Sequence, residues 1–264
     1  MQMELLLFLI IGGLAGFSAG LLGIGGGLIM VPALAFLLPF LHFDPEIIMH
    51  MAIATSLVAI VPTAMMSAYR HSRHQAINWR YAWQLTPGLI IGAIAGAMLV
   101  IHISRTPLQI IFSIFLLLIS LYMILGQPLP RADKEGSRCL LNRLISLLIG
   151  GISALLGVGG GTMTVPFLVW RGQEIHIAVG TSAFCGIPIA ITAATVFFLF
   201  NQASASAAGI GYIYWPGLLL MVVGSMFFTP LGARLAHQLS TSKLKRIFAA
   251  LLIFVAFSLL LDAF

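Results

Sequence analysis

Two short glycine runs are the residues of this sequence best suited to do chemistry. Gly23-Ile24-Gly25-Gly26-Gly27 is followed by Val31-Pro32, and Gly157-Val158-Gly159-Gly160-Gly161 by Val165-Pro166, at one constant offset. Glycine reaches backbone conformations closed to other residues and lets a ligand approach main-chain N–H groups closely. An apolar helix is expected to begin just after each run, near Leu28 and Thr162. The first N–H groups of such a helix lack intrahelical acceptors, and its dipole sets about half a positive charge at that end. The runs therefore read as donor sites for an anion, with Gly25, Gly26, Gly27, Gly159, Gly160 and Gly161 as candidate substrate-binding residues. The competing reading is that these glycines only let helices pack closely, as small residues do throughout membrane bundles. A dinucleotide-binding loop does not fit, because no strand or βαβ context surrounds either run.

A second duplicated set lies downstream. His50, Ala52, Thr55, Ser56 and Pro62 recur with identical spacing as His176, Ala178, Thr181, Ser182 and Pro188. The hydroxyls of Thr55, Ser56, Thr181 and Ser182 could donate to an oxyanion without the cost of a buried cation; the alternative is a bond back to a carbonyl one turn earlier. Thr162 and Thr164 adjoin the second run only, where the first has Leu28 and Met30, so any site is expected to be asymmetric and Thr162 joins its candidates. Pro32, Pro62, Pro166 and Pro188 each remove a helix N–H and are candidate kinks or hinges. His50 and His176, at the mouths of paired helices, are candidate gates or proton relays, or else simply interfacial side chains. His71 and His74 have no acidic or thiol company, so they read as part of a solvated basic loop, and neither a metal nor a cofactor is expected. A hydrolase with Ser56 or Ser182 as nucleophile is disfavoured: the only nearby bases, His50 and His176, lie six residues away, about 600° of helical rotation.

These residues must be held by membrane helices. The apolar share is 60%, the charged share 8% and the mean hydropathy +1.09, whereas soluble domains carry about 25% charged residues. Apolar runs occupy about 5–22, 28–41, 47–69, 81–101, 108–126, 142–156, 162–170, 177–200, 213–236 and 244–263, room for about eight to ten crossings. Trp79, Gly88, Gly96, Leu108 and Phe112 also recur, as Trp215, Gly224, Gly232, Leu244 and Phe248. Three blocks repeated in order mark an internal duplication, with residues 1–128 as the first repeat, 129–141 as a polar cytoplasmic linker and 142–264 as the second. Transporters built from repeats bind substrate near the repeat interface. The first segment lacks a basic leader region and is read as retained. Cys139 and Cys185 offer no structural disulfide. The excess of 13 basic over 7 acidic residues reflects cytoplasmic loops rather than nucleic-acid binding, since no basic stripe interleaved with aromatics is present.

Charge also orients the halves. If each glycine run interrupts a single crossing, the halves are parallel and lysine plus arginine split seven inside and six outside. If each run is the tip of a re-entrant hairpin, the halves are inverted and Arg70, Arg73, Arg80, Arg131, Lys134, Arg138, Arg143, Arg171, Arg234, Lys243, Lys245 and Arg246 are cytoplasmic, with only Arg105 outside. The positive-inside rule selects the second arrangement, with both termini outside. The run 162–170 covers only about 14 Å as a helix, half the hydrocarbon thickness. The expected fold is thus an all-α integral membrane protein of two inverted repeats, each of about four spanning helices and each opened by a glycine-rich re-entrant hairpin or broken helix. No aspartate or glutamate falls within a confident segment, which favours an anionic over a cationic substrate.

The motif pair G-x-G-G-G with a following V-P, and the A-x-x-T-S of Ala52 to Ser56 and Ala178 to Ser182, resembles the TauE/SafE sulfite exporter family over nearly the whole chain. The resemblance implies transport of sulfite, a sulfonate, sulfoacetate or a related sulfur-containing anion across a bacterial-type plasma membrane. It carries over Gly25, Gly26, Gly27, Pro32, Thr55, Ser56, Gly159, Gly160, Gly161, Pro166, Thr181 and Ser182. A secondary transporter is expected, with an anion channel as the nearest alternative. The expected partners are the small anion, the bilayer and a possible coupling ion, with the oligomeric state open.

Overall fold

In the computed structural model, which describes residues 2–22, 26–125, 139–200, 209–210, 212–236 and 241–263, each expected apolar run forms a helix. These are α1 (Gln2–Leu22), α2 (Gly27–Leu37), α3 (Pro45–Arg73), α4 (Trp79–His102), α5 (Arg105–Leu125), α6 (Cys139–Leu155), α7 (Gly161–Trp170), α8 (Ile175–Leu199), α9 (Trp215–Ala236) and α10 (Thr241–Asp262). A 3-10 turn, Leu38–Leu41, extends α2, and two short antiparallel strands, β1 (Gly209–Ile210) and β2 (Ile213–Tyr214), precede α9. α3 and α4 start two residues before their apolar runs because polar caps set their first turns. Asp44 accepts from the Glu46 N–H at 3.0 Å with Pro45 as the first helical residue, and the Asn78 side chain accepts from the Tyr81 N–H at 3.2 Å.

Five helices are long and apolar enough to cross a membrane: α3, α4, α5, α8 and the 215–232 portion of α9. α1, α2, α6, α7 and α10 contribute shorter apolar stretches. Large apolar side chains face outward, including Leu118, Leu121, Phe227, Phe254 and Leu261. So much exposed apolar surface is compatible with lipid and not with water, so the chain is an all-α integral membrane protein.

Lipid removes most of the hydrophobic drive for helix association, so close backbone approach has to supply the contact energy. α1 lies on α9 with Gly12 against Met221 and Gly16 against Ser225, and α4 lies on α6 with Gly88 against Ser146 and Gly92 against Leu147. α3 and α8 pack against each other at the centre, and α5 packs on α10. At one end Arg105 pairs with Asp262 at 2.6 Å, and Gln109 donates to the same carboxylate at 3.0 Å.

Candidate functional site

The second glycine run is shaped by its backbone. Gly160 has φ +67°, in the left-handed region, and immediately precedes α7; an L side chain is strained there. Met163 and Thr164 both donate their N–H to Gly160 O, at 3.2 and 2.8 Å. At the first run Ile29 and Met30 donate to Gly26 O in the same way, at 3.1 and 3.0 Å, but Gly26 has an ordinary φ of −69°. Neither helix start has a side-chain cap. The two runs touch: a Cβ added to Gly27 would lie 2.5 Å from Gly157 O, and Ser56 Oγ donates to that same carbonyl at 2.9 Å. Gly25, with Gly23 and Ile24, lies outside the described residues.

Where the runs meet there is a cavity of about 40 Å³. A single water needs roughly 10–15 Å³ on this scale, so the space suits a few waters or one small polyatomic ion. Gly26, Gly159 and Gly161 form part of its wall. α3 contributes Ile60, Thr63, Ala64 and Ser67, α8 contributes Ser182 and Ala183, and Ala19 and Thr229 complete it. Ser182 is fully buried and its Oγ has no hydrogen-bond partner. Thr63 Oγ1 donates to Ile60 O at 2.9 Å and Thr229 Oγ1 to Ser225 O, so these two hydroxyls offer lone pairs to an occupant.

Of the candidate binding residues, the cavity therefore brings together Gly26, Gly159, Gly161 and Ser182. Gly27, Thr55, Ser56, Gly160, Thr162 and Thr181 do not line it. Thr162 and Thr164 are buried, and their hydroxyls have no partner. Thr55 and Thr181 have a different task. Thr55 Oγ1 accepts from the Tyr214 N–H at 3.0 Å, and Thr181 Oγ1 accepts from the Asn78 N–H at 2.9 Å. Tyr214 and Asn78 stand immediately before α9 and α4, so each half's threonine holds the helix entry of the other half.

The two histidines differ sharply. His50 is buried, with Nε2 at 3.1 Å from Val100 O and 3.0 Å from Ile103 O, which assigns the ring proton to Nε2. Its ring stacks on Tyr212 at 5.3 Å, and burial pushes the Tyr212 phenol above its ordinary pKa. His176 is largely exposed, 3.3 Å from Glu174. Pro62 and Pro188 lie inside α3 and α8, which continue through them. Pro32 and Pro166 are each the sixth residue of α2 and α7, and without an N–H they leave the carbonyls of Leu28 and Thr162 out of the helix ladder.

Sequence reading did not single out Thr63, Ser67 or Thr229. Thr63 and Ser67 were legible as part of one helical stripe with Ser56 and Ile60, spaced 56, 60, 63, 67.

Residues 8–259 match the family described as Sulfite exporter TauE/SafE. A "probable membrane transporter protein" of Haemophilus influenzae is 35% identical, over 97% of this chain and 98% of its own length. Proteins described in the same words from Methanocaldococcus jannaschii (25% identical, 93% of this chain and 91% of the relative) and Bacillus subtilis (26%, 98% of each) are also similar. No solved structure is a significant match.

Proposed function

Because the chain belongs to the sulfite exporter TauE/SafE family of membrane transporters, we propose that it is a secondary transporter that carries a small sulfur-containing anion, such as sulfite, a sulfonate or sulfoacetate, by alternating access. The observation that carries this reading is Ser182. A fully buried hydroxyl without a partner costs about 1–3 kcal/mol, and this one lines a cavity between two glycine-rich helix starts. An oxyanion would satisfy it. The dipoles of α2 and α7 add positive potential without a buried cation, while the Gly160 and Gly161 N–H groups are already turned to Val158 O and Gly159 O.

Inverted halves are supported by which helices run together. Phe8, Gly12 and Gly16 of α1 lie level with Gly217, Met221 and Ser225 of α9, so the two run the same way, as do α4 and α6 with Gly88, Gly92 and Gly96 level with Ser146, Leu147 and Gly151. α9 starts beside the first turns of α3, where Tyr212 meets His50, whereas α4 starts at the opposite end of α3. The counterpart helices α1 and α6 therefore enter from opposite ends. Re-entrant tips are supported by Phe8, in the second turn of α1, and Phe43, just past the 3-10 turn that extends α2, which both touch the Tyr214 ring, at 5.3 and 5.5 Å. In the other half Asn78 donates to Gln173, just past α7, at 2.8 Å, at the end where α6 begins. In this reading the repeats are 1–128 and 142–264, the end bearing Arg70, Arg73, Arg80 and Arg171 is cytoplasmic, and the membrane is the plasma membrane.

Access is one-sided. Residues 48–57 of α3 are all buried, with Tyr212 stacked on His50 and Phe8 and Phe43 against Tyr214 at that end, while the cavity follows α3 from Ile60 to Ser67, toward the end read as cytoplasmic. In this reading the carrier is sealed at the outer end.

The test is counterflow of labelled sulfite in proteoliposomes. A hydrogen bond to a charged group is worth about 1.5–3 kcal/mol, so Ser182→Ala is expected to raise KM about 10- to 100-fold, with the thermal stability of the ligand-free protein raised rather than lowered, since an unpartnered buried hydroxyl is lost. Ser56→Ala, which removes the donor to Gly157 O, should lower stability and leave KM close to wild type. An unchanged KM in Ser182→Ala removes the site, and non-saturable flux that follows only the electrochemical gradient makes the protein a channel.

A further inference from the structure

We propose that the cavity selects oxyanions by charge as well as size, admitting small monoanions and rejecting dianions of the same volume. The proposal rests on the reading of the cavity as an anion site. Its wall is wholly uncharged: the polar atoms come from Ser182, Thr63, Ser67, Thr229 and glycine backbone, and among the described residues no lysine, arginine or histidine lines it. The nearest arginine along α3, Arg70, lies almost a turn beyond Ser67 and outside the wall.

The cost of taking an ion out of water grows with the square of its charge, whereas stabilisation by fixed dipoles grows only in proportion to it. Neutral donors that balance one charge therefore fall well short for two. Proteins that bind doubly charged oxyanions typically supply arginine or lysine for this reason. The hydroxyls present push the same way. Ser182 and the partly exposed Ser67 keep uncommitted O–H groups, while Thr63 and Thr229 already donate to Ile60 O and Ser225 O. Their remaining lone pairs oppose a fully ionised oxyanion and can accept from one that keeps an acidic proton.

The experiment is calorimetric titration of the purified full chain in detergent with methanesulfonate, sulfate and sulfite. Methanesulfonate and sulfate are close in size and differ by one charge, and sulfite changes between one and two charges near neutral pH. Methanesulfonate is expected to bind at least about tenfold tighter than sulfate, and sulfite to bind more tightly on the acid side of its second ionisation than on the alkaline side, with methanesulfonate insensitive to the same pH change. Ser67→Lys places a fixed cation on the partly exposed end of the wall and should narrow the methanesulfonate-to-sulfate ratio. Equal affinity for the two anions overturns charge selection and leaves the anion site standing. Absence of binding by all three overturns both. If Ser67→Lys does not fold, the wild-type ratio alone decides.

Discussion

The two halves carry the same motifs, yet their matched residues sit in different environments. His50 is locked between the end of α4 and Tyr212, whereas His176 lies in solvent. Ser56 donates to Gly157 O, whereas Ser182 faces the cavity with no partner. α3 has 78% of its apolar window buried and its counterpart α8 has 44%. Duplication thus supplies a skeleton in which each half could occupy either environment, and a single conformation gives the closed one to the end at which α3 begins. For a carrier with inverted halves, the two environments are what must be exchanged when the site turns to face the other way.

The largest expected asymmetry is between the histidines. His50→Ala removes a buried ring, its stacking on Tyr212 and a donor shared by two carbonyls, a loss of about 3 kcal/mol by analogy with other buried aromatic truncations. His176→Ala should stay within about 0.5 kcal/mol of wild type, as exposed substitutions do. Denaturant unfolding of both variants in detergent compares them directly. Similar values for the two would mean that the closed and open ends are not energetically distinct.

A smaller difference separates the matched glycines before α2 and α7. Gly160→Ala forces an L residue to φ +67°, at about 1–3 kcal/mol, and sets a Cβ 2.6 Å from Ile189 Cδ1. Gly26→Ala keeps an ordinary φ and meets Met30 Cε at 3.2 Å, a terminal methyl that can move, and Ala15 Cβ and O at 3.3 Å, which need a shift of only a few tenths of an ångström. Melting temperatures should therefore fall clearly for the first and little for the second. The reverse order would show that the left-handed φ at Gly160 is not what holds the start of α7.

Much of this arrangement was legible in the sequence. Continuous apolar runs can only be helices in lipid, where backbone groups must be satisfied internally, although the caps at Asp44 and Asn78, which start two helices ahead of their apolar runs, were not read. The glycine runs and Ser182 could be picked out because they are duplicated. Thr63 and Ser67 escaped for the same reason, since their counterparts in the second half are Ile189 and Ala193, and a comparison of repeats filters out what only one half possesses. The partners of Thr55 and Thr181 were beyond reach. They are backbone N–H groups 159 and 103 residues away, and a main-chain donor leaves no trace in residue type.

Those threonines are also where the halves are alike, which gives the smallest and most discriminating expectation. Thr55 and Thr181 hold Tyr214 and Asn78 by equivalent bonds of 3.0 and 2.9 Å in a conformation where the histidines, serines and central helices all differ. A bond formed in both halves, at the buried and at the exposed histidine's end alike, does not distinguish them, so it ties each half to the other's helix entry rather than serving as a gate. Thr55→Val and Thr181→Val keep the side-chain shape and remove the acceptor, and each should lower stability by about 1 kcal/mol. The two share no partner, so the double variant should show the sum. Labelling of a Ser67→Cys probe by an impermeant reagent added from either side should keep its wild-type sidedness in all three. A shift in sidedness from one threonine alone would make that bond part of the gate and extend the asymmetry of the halves to the one contact they share.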